Sequence, residues 1–185
     1  MKKEDYKMST YNLEEIWDIY DKSLNKIGEK KRAEHLDSGE YHLVVSAFIF
    51  NAQGQVLLQK RSMSKLNYPG YWEESVGGSA LKDEDHLVAL KRELREELNL
   101  KLPIYEKYFY MRCIEKDWIE DWFVIQANFK LNELQLQTEE VELIQLFTFE
   151  QAKEQLRYYG IQPYEQQLKR AYKIIQENNQ NFGHT

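Results

Sequence analysis

The sequence predicts a mixed α/β fold, an α/β/α sandwich in which a sheet with strands running both ways carries helices on both faces. Three observations predict it. His42 to Phe50 (HLVVSAFIF) is a strongly β-forming run followed by a turn and a returning strand. One amphipathic helix, about Asp85 to Leu98, interrupts the strands. Further strands then lead into two C-terminal helices.

Residues 1–12 are polar and expected to be loose. Ile16 to Tyr20 (IWDIY) reads as a short strand, with Trp17 and Tyr20 as core residues, and Asn25-Lys26-Ile27-Gly28 as the turn after it. His42 to Lys60 reads as a hairpin: Asn51-Ala52-Gln53-Gly54 turns the chain and Val56 to Gln59 returns. Arg61 to Ala80 holds Pro69, Gly70, Gly77 and Gly78 and is expected to be mostly loop. In the helix, Leu87, Leu90, Leu94 and Leu98 form an apolar stripe at helical spacing. Asn99 stands where the helix should end in a left-handed residue. Tyr105–Ile114 and Ile119–Phe129 read as an antiparallel pair around Glu115-Lys116-Asp117. In the second strand Ile119, Phe123 and Ile125 face one way and Trp118, Trp122, Val124 and Gln126 the other. Leu143 to Phe149 is a further strand, Phe149 to Tyr158 a short helix, and Pro163 to Asn178 a longer one with the proline in its first turn.

The 185 residues make one domain the simplest expectation, spanning 1–185. Hydrophobic content of 42% with 30% charged residues is ordinary for a globular chain, and the net charge of −6 argues against a basic footprint for nucleic acid. No apolar run approaches the roughly 20 residues of a membrane helix. The initial lysine pair has no apolar core behind it, so no secretory signal is expected and a cytoplasmic location is. One cysteine, Cys113, excludes an intrachain disulfide and a four-cysteine zinc site.

Function is most legible in Gly78-x5-Glu84-x7-Arg92-Glu93-Leu94-x-Glu96-Glu97-x-Asn99-Leu100. At about 100° per residue, Glu93, Glu96 and Glu97 fall within an arc of about 100°, roughly a quarter-turn from the leucine stripe. Glutamates at i, i+3 and i+4 repel, by a few tenths of a kcal/mol per pair. A hard divalent cation with oxygen ligands reverses the sign of that cost, and Mg²⁺ completes its shell with substrate phosphates. Arg92, four residues before Glu96, is placed to hold that carboxylate. The Gly77-Gly78 pair lets backbone approach a cation or a phosphate. The alternative is a solvated Glu/Arg-rich surface.

The stretch resembles the Nudix box, Gly-x5-Glu-x7-Arg-Glu-aliphatic-x-Glu-Glu-x-Gly-aliphatic. Only Asn99 departs from it, standing for glycine, and asparagine is the next-best residue in a left-handed cap. The resemblance covers roughly residues 11–168. It implies the α/β/α sandwich and hydrolysis of a diphosphate linked to some moiety X, in particular a nucleoside diphosphate, by substitution at phosphorus. It implies Mg²⁺ as cofactor, with Mn²⁺ as a substitute, held by Glu93, Glu97, the Gly77 carbonyl and, directly or through water, Glu96. Arg92 and Glu84 would be orienting groups. Glu139 and Glu140 are candidates for the general base, against a plain reading as a charged turn. Arg61, Lys65, Tyr68, Trp72, Gly78, Arg32 and His42 are candidates to touch a phosphorylated small molecule; exposed charge or packed aromatic is the plain reading of most of them. A homodimer is a family-based expectation; nucleic acid and membrane are not expected partners.

Tyr41-His42-Leu43, Gln59-Lys60-Arg61-Ser62, Lys65, Pro69-Gly70-x-Trp72 and Ser75-x-Gly77-Gly78 are similar to the isopentenyl-diphosphate isomerase-like branch. The isomerase of that branch needs a cysteine in a Ser-Val-Cys-Gly-His run. Here the run is Ser75-Val76-Gly77-Gly78-Ser79, which supplies neither the thiol nor the imidazole for proton transfer at carbon. A hydrolase is therefore expected over the isomerase. A silent module that binds a nucleotide or another protein is disfavoured by the intact set of box carboxylates. Nucleotide sugars, ADP-ribose, dinucleoside polyphosphates, oxidised nucleotides, coenzyme A and prenyl or vitamin diphosphates all fit the box.

Overall fold

The structure is a computed structural model and describes residues 13–182; the polar stretch 1–12 lies outside the described residues. In chain order the elements are β1 (Ile16–Tyr20), β2 (Lys26–Lys31), β3 (Tyr41–Phe50), β4 (Val56–Arg61), β5 (Trp72–Glu73), β6 (Val76–Ser79), α1 (His86–Leu98), β7 (Phe109–Ile114), β8 (Trp118–Gln126), β9 (Val141–Phe147), α2 (Phe149–Tyr159) and α3 (Tyr164–Phe182). β3 organises the sheet. One of its edges runs parallel to β8 from His42 to Phe50. The other edge is shared in succession by β1, β6 and β4, all antiparallel. A parallel neighbour requires a crossover, and α1 lies within it, covering one face of the sheet.

The pleat of β3 divides the core. Leu43, Val45, Ala47 and Ile49 join Leu90, Leu94 and Leu98 of α1 and Ile119, Phe123 and Ile125 of β8 on one face. Phe48 and Phe50 join Trp122, Val124, Ala152, Leu156, Leu168 and Ala171 on the other, under α2 and α3. The α/β/α layering and the β8 alternation are as expected, and Leu87 packs at the margin of the first cluster. Trp17 is buried and Tyr20 packs against the first cluster.

Several expectations are corrected. The turn after β1 is not Asn25–Gly28 but Asp21–Asn25. The Asp21 carboxylate accepts from the Ser23 and Asn25 backbone amides, Leu24 takes φ 64°, and Lys26–Lys31 is then free to pair with β1. Arg61–Ala80 is mostly loop, as expected, but two short strands interrupt it. Trp72–Glu73 pairs with β4 and Val76–Ser79 with β3, so the glycine pair is part of the sheet. β7 begins only at Phe109, after a single 3-10 turn at Glu106–Tyr108, and β8 ends at Gln126. β9 starts earlier, at Val141, because it pairs with Arg61 of β4. Phe149 belongs to α2, whose start Thr148 and Gln151 fix as a reciprocal capping box. α3 runs on to Phe182, past the expected end at Asn178.

Candidate active site

α1 is positioned by local chemistry. The Asp85 side chain accepts from the amides of Leu87 (2.9 Å) and Val88 (2.8 Å), capping the start. Asn99 ends the helix at φ 50°, ψ 30°, and Leu100 N–H returns to the Leu94 carbonyl at 2.9 Å. With the leucines on the sheet, Glu93 and Glu97 turn towards the β4–β6 strands and are buried, while the Glu96 side chain stays half exposed.

Arg92 ties these carboxylates to their neighbours. Its Nε and Nη2 donate to Glu84 (2.9 Å each), its Nη1 to Glu93 (2.8 Å) and Glu96 (3.0 Å), and its Nη2 also to the Ser79 carbonyl (2.9 Å). The expected Arg92–Glu96 pair is present as part of this larger clamp. Glu84 also accepts from the Leu81 amide at 2.9 Å, so the chain before the helix is fixed too.

The glycine pair sits beneath. A Cβ at Gly78 would lie 2.1 Å from Glu93 Oε1, so glycine is what lets that carboxylate lie against the strand. Gly77 N–H donates to Glu97 Oε2 at 3.3 Å, as does Gln59 Nε2. Gln59 also donates to Glu73 (3.1 Å), and Arg61 pairs with Glu73 at 2.7 Å. Lys65 is ion-paired with Glu140, and Ser62 N–H binds the Glu140 carbonyl. Lys65 and Glu140 both act electrostatically on Glu97. Glu140, Lys65 and Arg61 are thus brought to the box from two loops. Glu139 is exposed, and its carbonyl accepts from Ser64 Oγ.

Burial raises the pKa of Glu93 to about 7, against the pull of Arg92. Burial and the proximity of Glu93 and Glu73 hold Glu97 well above the ordinary carboxylate range. Glu73 is also raised by burial, opposed by Arg61. Arg92 bonds Glu93 and Arg61 bonds Glu73, and the donor set of the three carboxyls is oxygen. That fits a hard divalent cation among Glu93, Glu97 and the Gly77 region. A second acidic trio, Asp18, Glu29 and Asp83, converges within 4.8 Å, but Lys26 sits among all three at 2.7–3.5 Å and answers their charge.

Sequence reasoning missed the carboxylates on the far side of β6. Ser46 Oγ contacts Glu120 Oε1 at 2.7 Å and Glu74 Oε1 at 3.1 Å, and Glu74 Oε2 is buried with no hydrogen-bond partner. Burial raises both acids, Glu74 far more. Strand alternation puts Glu120 on the Trp122 face of β8, but Glu74 lies in the turn after β5, where no alternation applies.

The remaining candidates scatter. Trp72 is corrected: it is a buried core residue, edge-on to Phe147 at 5.3 Å, and offers no stacking face to a ligand. Its partners are the 160–161 backbone, which turns its strand under α2. His42 stacks on Trp17 at 4.0 Å, and burial holds its imidazole down at about 4. Arg32 lies over the same Trp17 ring and pairs with Glu15 at 2.8 Å. Tyr68 is exposed. Cys113 is on β7, in register with Glu120, its thiol pushed up by burial.

A family model described as the NUDIX domain matches residues 40–168. The chain belongs to the Nudix hydrolase family. A Nudix hydrolase of Listeria innocua, itself uncharacterised, is 37% identical over 147 residues, covering 79% of this chain and 86% of the relative. An isopentenyl-diphosphate Delta-isomerase of Serratia proteamaculans is 31% identical over 113 residues, 60% of this chain and 63% of the relative. The solved structure of a Deinococcus radiodurans protein superposes with a TM-score of 0.68 at 20% identity, over 85% of this chain and 99% of that one, which establishes the common fold. The clamp of Arg92 on Glu84, Glu93 and Glu96 lies within the residues that the family model matches. Among the described residues no helix is long and apolar enough to cross a membrane.

Proposed function

We propose that this Nudix hydrolase is a Mg²⁺-dependent pyrophosphohydrolase that cleaves the diphosphate of a nucleoside diphosphate linked to a moiety X. The observation that carries the reading is the burial of Glu93 and Glu97 side by side against Gly77 and Gly78, with the pKa values of both acids raised by that burial. Glu93 and Glu97 would hold the metal with the Gly77 carbonyl, and Mn²⁺ would substitute. When bound, the cation would neutralise the diphosphate and stabilise charge on the departing phosphate. Arg92 fixes the rotamers of Glu93 and Glu96 and anchors Glu84, so the acids are ordered before substrate arrives. Glu140, ion-paired with Lys65 beside the acids, would accept a proton from an attacking water. Lys65 and Arg61 each have a carboxylate partner and would exchange it for phosphate oxygens. Attack at phosphorus forms one P–O bond and breaks the P–O–P bridge, giving two monophosphates.

The isomerase reading has a relative in its favour, but the position of its thiol is Gly77 here. The space of a Cβ at Gly77 is taken by Glu74 Oε1, 2.2 Å away. A Mg²⁺-dependent hydrolysis panel over nucleotide sugars, ADP-ribose, dinucleoside polyphosphates, coenzyme A and prenyl diphosphates, with the phosphorylated products read by chromatography, tests the proposal. Turnover is expected on at least one class, reduced by about 10³-fold or more in Glu97→Gln. Full activity in Glu97→Gln, or rearrangement of isopentenyl diphosphate without hydrolysis, overturns it.

A further inference from the structure

Between β4 and β5 the chain spends residues 62–71 on a loop that is apolar where loops are usually polar. Met63 (68% exposed), Leu66 (64%), Tyr68 (53%) and Tyr71 (45%) all stand in solvent. Four large exposed apolar side chains within nine residues form a patch of the kind that marks a binding surface. The base of the loop is rigid: Gly70 N–H binds the Arg61 carbonyl, Arg61 N–H binds the Tyr71 carbonyl, and Arg61 Nε donates to the Asn67 carbonyl at 3.0 Å. Both flanks end on the candidate site, through Arg61 to Glu73 and through Lys65 to Glu140.

The two tyrosines decide the chemistry. Their rings lie 5.6 Å apart at an interplanar angle of 60°, so they brace one another while leaving ring faces open. Tyr68 holds φ 52°, a left-handed conformation that is costly for a bulky residue and suits glycine or asparagine better. A tyrosine kept there is explained by use of its side chain. Flat, braced rings at the surface reward a planar partner, which stacks with little loss of its own freedom. A flexible chain loses rotamer entropy on the same surface.

We propose that Tyr68 and Tyr71 are specificity-determining residues of this enzyme, and that they select a moiety X carrying a flat aromatic ring system. The inference rests on the hydrolase reading above and extends it to the substrate. The experiment compares diadenosine diphosphate, ADP-glucose and geranyl diphosphate, which offer an aromatic ring, a sugar and an aliphatic chain beyond the phosphates. The wild-type enzyme is expected to favour diadenosine diphosphate in kcat/KM by about tenfold or more. Tyr68→Ala and Tyr71→Ala, checked for folding by circular dichroism, are each expected to reduce that preference at least about fivefold, mostly through KM. Tyr68→Phe and Tyr71→Phe keep it, because stacking does not need the hydroxyl. A wild-type preference for the sugar or the prenyl compound, or an unchanged ratio in both alanine variants, overturns the proposal. If no compound is hydrolysed, the hydrolase reading has failed instead. Calorimetric titration of diadenosine diphosphate then decides the loop: affinity about tenfold weaker in the alanine variants supports it. Equal affinity, or no binding to the wild type, overturns it.

Discussion

Gly78→Ala turns the fit between β6 and α1 into a measurement. The added methyl would stand 2.1 Å from Glu93 Oε1, 2.3 Å from its carboxyl carbon and 2.8 Å from Oε2. Ordinary contact requires the carboxylate to retreat by roughly 1 Å, and displacements of that size in a reacting constellation cost on the order of 10²-fold in rate. Glu93 cannot swing freely, because Arg92 holds Oε1 at 2.8 Å and the side chain is buried. Gly28→Ala is the control: it is also a strand glycine, and nothing lies within 4 Å of its Cβ position. The assay is kcat/KM for Mg²⁺-dependent hydrolysis of the best substrate of the panel, with urea unfolding alongside. Gly78→Ala is expected to lose about 10²-fold in kcat/KM while unfolding within about 1–3 kcal/mol of wild type. Gly28→Ala stays within about twofold, as expected where no contact changes. The double variant Gly78→Ala/Glu93→Asp, one methylene shorter, is expected to lose less than the product of its single effects. A folded Gly78→Ala enzyme with wild-type kcat/KM would refute the idea that Glu93 works from its place against the strand.

Two further outcomes follow from the same geometry. Glu93 takes up protons more readily folded than unfolded, so its own contribution to the stability of the metal-free protein is full below about pH 4.5 and is lost as pH rises through about 7. At about 1.4 kcal/mol per pH unit this is on the order of 3 kcal/mol. Millimolar Mg²⁺ should therefore raise the urea midpoint far more near about pH 8 than near about pH 5, and equal shifts at both would count against metal at these acids. Asp121 is fully buried on β8, receiving Arg112 at 2.5 and 2.6 Å and His86 at 2.6 Å. Asp121→Ala leaves Arg112 without its carboxylate and His86 with Glu106 alone, and is expected to cost about 3–5 kcal/mol in urea unfolding; a cost below about 1 kcal/mol would show that the cluster is not holding α1 to β8.

What the sequence revealed and what it hid divides along a physical line. α1, its ends and its two faces were legible because capping and 3.6-residue periodicity are local: Asp85, Asn99 and the leucine stripe each act within a turn or two. The Arg92–Glu96 pair was legible for the same reason, whereas the Arg92 bonds to Glu84 reach out of the helix and were not read. The strand character of Val76–Ser79 was hidden, since two glycines lower β-propensity and only pairing with Val44–Ala47 supplies the missing stability. Gln59, Glu73, Glu74 and Glu120 were hidden as site residues because they converge from β4, β5, the turn after it and β8, separations that no window of sequence spans. Trp72 was misread because a tryptophan following Pro69-Gly70 resembles a loop aromatic. The contact that buries it comes from Phe147, 75 residues later in the chain.

The glycine pair then has a meaning that a loop reading could not give it. Adjacent strand residues point to opposite faces, so Gly77, in register with Ser46, opens towards Glu74 and Glu120. Gly78, in register with Val45, opens towards Glu93 and α1. One step along β6 separates two buried carboxylate groups that never share a face. A cysteine at position 77, which the isomerase branch requires, would enter the face of Ser46, Glu74 and Glu120, the opposite side from the Glu93 carboxylate. Proton transfer at carbon and substitution at phosphorus would thus draw on different sides of the same strand. In this chain the side facing α1 keeps its whole acidic set, Glu84, Glu93, Glu96 and Glu97. The other side has given up its thiol position to a glutamate oxygen, and that asymmetry is the physical reason to read the enzyme as a hydrolase.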